Sequence, residues 1–184
     1  MNNKDKIRKN YSSLRKKKYY EIADNFYLPL ISLIKKFSIK NIKLALYYPS
    51  NYEVNTIPLF KNLKKKKIKF SLPTIISTGN RMKFIQWNYL DPLKVNRFGM
   101  LEPNISSRTI KPNIFLIPLL AYDNQKNRLG YGKGFYDDFL NKHLKKDKKI
   151  ITVGVAFSFQ KFNKLPVSKY DVKLNYILTE KGII

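Results

Sequence analysis

Residues 113–156 read NIFLIPLLAYDNQKNRLGYGKGFYDDFLNKHLKKDKKIITVGVA, and the order of patterns within them decides the fold class. The run over residues 113–118 is apolar and aromatic, as a strand buried on both faces requires. A turn-rich stretch follows, and its glycines Gly130, Gly132 and Gly134 feed directly into a pattern over residues 134–146 whose period predicts a helix. Residues 150–156 form a second short apolar run. Strands alternating with helices in this way build an α/β domain with a largely parallel sheet.

The flanking sequence extends the pattern. Residues 42–48, ended by Pro49, Ser50 and Asn51, predict a buried strand and a loop; residues 56–66 predict a helix. Residues 68–72, stopped by Pro73, and residues 82–87 predict two more strands. Between residues 4 and 37, Ile7, Tyr11 and Leu14, then Ile22, Phe26, Leu30 and Ile34, recur near helical spacing. They predict one or two amphipathic helices with a break at Pro29 and the basic residues mostly off the apolar stripe. Residues 88–112 have no clean period and contain Asp91-Pro92, Gly99, Glu102-Pro103 and Lys111-Pro112, so they predict a mostly irregular loop folded over the domain. The expected architecture is α/β: a single three-layer α/β/α domain over residues 1–184 with a mostly parallel central sheet, the helical segment 4–37 packing on its core.

Composition excludes several chemistries. The chain has 184 residues, no cysteine and one histidine, so disulfides, thiolate metal sites and a cysteine nucleophile are ruled out. His143 lies late in the predicted helix and reads as a solvated helix-end residue. No apolar run approaches the roughly 20 residues of a membrane-spanning helix, and the polar start lacks the apolar centre of a secretory signal. A soluble, cytoplasmic protein with no membrane partner is expected. The formal charge of +25, from 37 Lys and Arg against 12 Asp and Glu, raises the possibility of a nucleic-acid partner. Such a module would gather arginines and aromatics at one place. Here lysine greatly outnumbers arginine and is dispersed, as AT-biased coding would leave it, and the runs at residues 16–18 and 64–67 read as solvated helix faces. No specific nucleic-acid partner is expected.

The chemistry concentrates in Arg128-Leu-Gly-Tyr-Gly-Lys-Gly-Phe-Tyr-Asp137. Alternating glycines permit positive φ and close approach of the backbone to a ligand, while a helix start presents unpaired N–H groups and the positive end of its dipole. Together these make a phosphate cradle. Arg128 and Lys133 add cationic charge suited to a transferring phosphoryl group, and Asp137 is placed to reach a magnesium ion on the phosphates. The alternative is structural: a glycine-rich turn before a helix, its charges facing water. The spacing is neither that of a Walker loop, since no Ser or Thr follows Lys133, nor a G-x-G-x-x-G fingerprint.

This decapeptide closely resembles the R-L-G-x-G-x-G-[YF]-Y-D signature of the 5-formyltetrahydrofolate cyclo-ligases, also called 5,10-methenyltetrahydrofolate synthetases. Weaker landmarks agree in order: Lys4-x-x-x-Arg8, residues 47–53 followed by Thr56, Pro73 before Met82-x-Phe84, Glu102-Pro103, Ile117-Pro118 leading to Ala121-Tyr122-Asp123, and Leu165-Pro166-Val167 with Asp171. The resemblance spans nearly the whole chain. It departs where a histidine common before the late aspartate is Tyr170 and an acidic residue common a few positions later is Asn175.

The resemblance implies an enzyme that uses ATP as co-substrate and Mg2+ to convert 5-formyltetrahydrofolate to 5,10-methenyltetrahydrofolate. By position, Lys4, Arg8, Arg128, Gly130, Gly132, Lys133, Gly134 and Tyr136 would bind ATP, with Lys133 and Arg128 stabilising transition-state charge. Tyr48, Glu53, Tyr131 and Phe135 would contact folate, and Asp137 and Asp171 would serve the metal. Trp87 and Phe84 read as either pocket lining or core. A monomer is expected. The competing readings are a nucleic-acid-binding domain and another phosphate-transferring enzyme on the same scaffold, since fold alone does not fix function.

Overall fold

The structure, a computed structural model, describes residues 3–37, 39, 41–63, 67–76, 81–104 and 108–184. Four α-helices occur among them: α1 (Asn3–Lys18), α2 (Leu28–Lys36), which a 3-10 turn (Asp24–Tyr27) leads into, α3 (Ile57–Leu63) and α4 (Phe135–Leu144). The strands are β1 (Lys43–Ala45), β2 (Lys69–Ile76), β3 (Arg81–Gln86), β4 (Leu93–Val95), β5 (Leu101–Pro103), β6 (Ile114–Pro118), β7 (Ala121–Tyr122), β8 (Arg128–Leu129), β9 (Ile151–Val155), β10 (Tyr176–Thr179) and β11 (Gly182–Ile183). The central sheet has the order β11-β10-β9-β6-β1-β2-β3. Its inner pairs are parallel and only the edges β3 and β11 run antiparallel.

The alternation along β6 divides the core. Ile114 and Leu116 pack with Leu44, Leu46, Val153 and Val155 beneath α2 and α3, whereas Phe115 and Ile117 pack with Ala45, Ile177 and Leu140 of α4 on the opposite face. Helices therefore cover both faces, as a largely parallel sheet demands. Helix α1 lies apart from both layers, with Ile7 against Ala121, Leu129 and Leu165. Among the described residues no helix is long and apolar enough to cross a membrane.

Three expectations need correction. The N-terminal break falls at residues 19–23, and Pro29 sits in the first turn of α2, where its missing N–H costs no helix bond. Pro73 does not stop β2. Lys69 N donates to Ile42 O, Ser71 O accepts from Leu46 N, and Ile75 N points the same way, so Pro73 faces the side that short β1 has already left. The loop over residues 88–112 contains the β4–β5 hairpin; its residues 105–107 lie outside the described residues, as do residues 64–66 of the predicted α3 and lysine run. Strands β7, β8, β10 and β11 were too short or too weakly patterned to be expected.

Gly154, central in β9, is a packing glycine. A Cβ there would lie 2.7 Å from Leu119 Cδ2 and 2.8 Å from Ile177 Cδ1 and Leu174 Cδ1, and all three neighbours are buried. Gly154→Ala is therefore expected to overpack the core at a cost of about 1–3 kcal/mol. Calorimetry should show Tm falling by roughly 2–4 °C per kcal/mol; an unchanged Tm would mean that these methyls have room to retreat.

Candidate active site

A cavity of about 410 Å3 opens at the carboxyl ends of β1, β2 and β6, the place where open α/β sheets bind ligands. Each wall comes from a different element. Tyr48, Asn51 and Glu53 follow β1, and Lys4 and Arg8 project from α1. The turn from Arg128 to Asp137 supplies a third side, Asp171 closes one end, and Asn96, Phe98 and Met100 of the β4–β5 hairpin form the cover.

The glycine turn is shaped from beneath. Buried Asp123 accepts from the N–H groups of Gln125, Asn127 and Leu165 at 2.9–3.1 Å, which folds the β7–β8 hairpin and delivers Arg128 to the cavity. Gly132 and Gly134 take φ of 94° and 71°, conformations costly for other residues, whereas Gly130 does not have a positive φ. Arg8 Nε donates to Gly130 O at 3.0 Å, and a Cβ on Gly132 would stand 3.2 Å from Arg8 Cζ. Gly134 caps α4 with no side chain over the first N–H groups. Arg128 donates to Val172 O at 2.8 Å and to Asp137 Oδ1 at 2.7 Å; burial pushes its guanidinium pKa down against the raising charge of Asp137. The Lys133 ammonium stands 5.8 Å from the Phe98 ring centroid. The Tyr136 hydroxyl is buried without a hydrogen-bond partner.

The opposite side of the cavity is built on a carboxylate. Glu53 N donates to Ser50 O at 3.0 Å while Glu53 Oε2 accepts from Ser50 N at 2.9 Å, so a tight turn with left-handed Asn51 and Tyr52 curls the acid inward. Its Oε1 accepts from the Tyr131 hydroxyl. Burial pushes the Glu53 pKa up, and the Tyr131 hydrogen bond, the Arg15 charge and the Ser50 bonds only partly reverse this. Asp171 differs: burial pushes it up as well, but bonds from Lys4 Nζ at 2.5 Å and Ser168 N at 2.7 Å outweigh that and hold it below the ordinary value.

The cover is fastened by Glu102, which is 3% exposed. Its Oε2 accepts from Ile75 N at 3.0 Å and Asn96 Nδ2 at 3.1 Å. Asn96 Oδ1 in turn accepts from Phe98 N at 2.9 Å and Met100 N at 3.1 Å.

Residues 4–180 match the model of the 5-formyltetrahydrofolate cyclo-ligase family. The chain belongs to this family. It is 32% identical over 178 residues to a Haemophilus influenzae 5-formyltetrahydrofolate cyclo-ligase, covering 94% of this chain and 91% of that one. A Mycoplasma genitalium relative of the same name is 35% identical over 150 residues, covering 79% and 76%. Among solved structures, a 5,10-methenyltetrahydrofolate synthetase from Mycoplasma pneumoniae superposes with TM-score 0.72 at 27% identity, covering 96% and 98%. The Aquifex aeolicus synthetase gives TM-score 0.71 at 30% identity, covering 98% and 91%. The chain is thus a 5-formyltetrahydrofolate cyclo-ligase family enzyme with that family's fold.

In this cyclo-ligase the residues singled out from sequence converge. Lys4, Arg8, Tyr48 and Glu53 line the cavity with Arg128, Gly130, Tyr131, Gly132, Lys133, Gly134, Phe135, Tyr136, Asp137 and Asp171. Trp87 and Phe84 do not; both are core residues, at 2% and 1% exposure. His143 is at the end of α4, half-buried and stacked on Phe139. Asn175 is structural, its Oδ1 accepting from Thr152 N at 2.8 Å to join β9 to β10. Two groups were missed. Asn96, Phe98 and Met100 carry no periodic signal, although the Asn96 to Gly99 turn could have marked a hairpin. Arg15, next to the run at residues 16–18 that reads as a solvated face, was not singled out and is 1% exposed.

Glu102→Ala strands the Ile75 N–H and the Asn96 amide, at about 1–3 kcal/mol for a buried group left unpaired. Hydrogen exchange of amides 93–102 should quicken by about tenfold for each 1.4 kcal/mol if the hairpin opens locally. Unchanged exchange would show that the hairpin is held by its apolar contacts alone.

Proposed function

We propose that this cyclo-ligase converts 5-formyltetrahydrofolate to 5,10-methenyltetrahydrofolate with ATP and Mg2+, releasing ADP and phosphate. The observation that carries the reading is the meeting, in one cavity, of a cationic glycine turn and an aromatic pocket with a buried carboxylate. An amide oxygen is a poor leaving group until it is phosphorylated, so the two substrates must meet in one enclosure. The formyl oxygen bonds to the γ-phosphorus as the bond to the ADP oxygen breaks. The second folate amine then bonds to the activated carbon, which closes the ring; the amine proton is lost and the carbon–oxygen bond breaks to release phosphate, leaving the N–CH–N cation.

Lys4 and Arg8 on α1 and the turn of Arg128, Gly130, Gly132, Lys133 and Gly134 would hold the phosphates. The unpartnered Tyr136 hydroxyl supplies a further donor there. Lys133 brings its charge to the transferring group, and Arg128, already bonded to Val172 and Asp137, keeps the cradle in shape while adding cationic field. Tyr48, Tyr131 and Phe135 provide flat apolar walls for a pterin, and Glu53 accepts from its ring donors. Among the described residues both hydrogen bonds to Asp137 fall on Oδ1, from Arg128 and Val172 N, which leaves Oδ2 for a hard cation, whereas Asp171 already accepts from Lys4 and Ser168 and would share its carboxylate. Mg2+ on nucleotide phosphates needs only one or two carboxylates. Bound there, the metal would neutralise phosphate charge. The same reading makes the chain a single-domain cytoplasmic monomer with no nucleic-acid partner.

Methenyl-folate formation is followed by its near-ultraviolet absorbance, with ATP and Mg2+ omitted in turn; signal only with both present is expected, and none under any condition ends the reading. Lys133→Ala should lower kcat/KM by on the order of 100-fold or more with little change in Tm, because an exposed turn lysine contributes no core contact. An unaltered kcat/KM would remove Lys133 from the chemistry.

A further inference from the structure

Arg15 is an arginine that the core does not need. It stands in the last turn of α1 beside exposed Lys16, Lys17 and Lys18, yet it is 1% exposed. Among the described residues its one hydrogen bond to the backbone is long, Nη1 to Leu119 O at 3.3 Å, and its Nε and Nη2 are buried with no partner in hydrogen-bonding geometry. A buried guanidinium so poorly satisfied is a worse core residue than an apolar side chain of similar volume. The further reason for its position lies in the side chains around it, Tyr131 first among them.

The surroundings supply the reason. Arg15 Cζ lies 5.5 Å from the Tyr131 ring centroid, and the Tyr131 hydroxyl donates to Glu53 Oε1. We propose that Arg15 is a positioning residue for the folate pocket: its guanidinium is the counter-charge to Glu53 and the platform on which Tyr131 rests. This rests on the reading of Glu53 as the pterin acceptor. The groups facing Glu53 are the hydroxyls of Tyr131, Tyr47 and Tyr136 and the Arg15 cation. The hydroxyls bear no charge at neutral pH, since burial pushes all three upward. Arg15 is therefore the cation that opposes desolvation of Glu53. Neither Arg15 nor Glu53 touches the aspartates assigned to the metal.

The test compares the intact enzyme with Arg15→Met, Arg15→Lys and Glu53→Gln across pH, reading KM for 5-formyltetrahydrofolate and for ATP separately. Ionised Glu53 accepts on both oxygens, whereas the protonated acid turns one of them into a donor, so loss of the opposing cation raises the pH below which folate KM worsens. Arg15→Met should move that limb up by about one pH unit or more, with folate KM rising at least tenfold below it and ATP KM within twofold. Arg15→Lys should restore part of the displacement. A rise in both KM values with no displacement, or no change at all, overturns the proposal. Tm is the second readout. Arg15→Met should lower Tm in the wild-type background and leave it unchanged or raised in Glu53→Gln, where the removed cation has no counter-charge. If Arg15→Met folds only in the Glu53→Gln background the pairing stands, and if it folds in neither Arg15 is structural and the proposal fails. Glu53→Gln with unaltered folate KM would instead sink the reading of Glu53, while the Tm comparison still decides the pairing.

Discussion

Arg8 meets the backbone of the glycine turn at a distance tighter than most Cβ contacts. Its Nε reaches Gly130 O at 3.0 Å, and its guanidinium carbon lies 3.2 Å from where a side chain on Gly132 would begin. This contact ties α1, which belongs to neither helical layer of the sheet, to the turn that starts α4. Together with Ile7 packed on Ala121, Leu129 and Leu165, that attachment sets what α1 brings to the cavity: Lys4 arrives at Asp171 and Arg15 at Tyr131. A larger residue at position 132 would need the guanidinium to give by a few tenths of an ångström in addition to adopting a φ of 94°, so one glycine answers two constraints.

The second organising fact is the shortness of β1. It pairs with β2 only as far as Ala45 and Ser71, and β2 continues to Ile76 with one edge open. An open edge inside a domain needs partners for its N–H groups. Pro73 removes one such donor, and Glu102 satisfies the next at Ile75. The same carboxylate holds Asn96, whose side chain shapes the hairpin tip. The end of a strand and the cover of the cavity are thereby one hydrogen-bonded unit, which is why an irregular stretch of sequence can present Phe98 and Met100 in a defined place.

The sequence was legible where a pattern had a local cause. Buried parallel strands produce apolar runs, so β1, β6 and β9 could be read directly. A turn needing positive φ beside an anion calls for glycine and cations, and residues 128–137 carried that signal within ten positions. Long-range causes were not legible. Pro73 reads as a stop unless one knows that β1 ends first, and Phe84 and Trp87 read as possible walls unless one knows that they point into the core. Arg15 was invisible for a further reason. In a helix whose last turn is Arg-Lys-Lys-Lys, nothing in the local sequence marks which of the four cations is buried, because the cause is a carboxylate on a loop 38 positions later.

That distinction also bears on the net charge of +25. Exposed charges are screened over a Debye length of about 10 Å at 0.1 M salt, so the many surface lysines act on approaching anions only weakly and without discrimination. Inside the cavity the dielectric is lower and geometry decides. Lys4 is paired with Asp171, Arg8 with Asp5 and Arg128 with Asp137, and Arg15 acts on Glu53. A ligand entering this array meets cations already oriented by carboxylates, and it must compete for them or share them. In the proposed reading, selectivity for a phosphate at one end and a hydrogen-bond-donating ring at the other comes from these few partnered charges, and the large surface excess contributes nothing to telling the two ends apart.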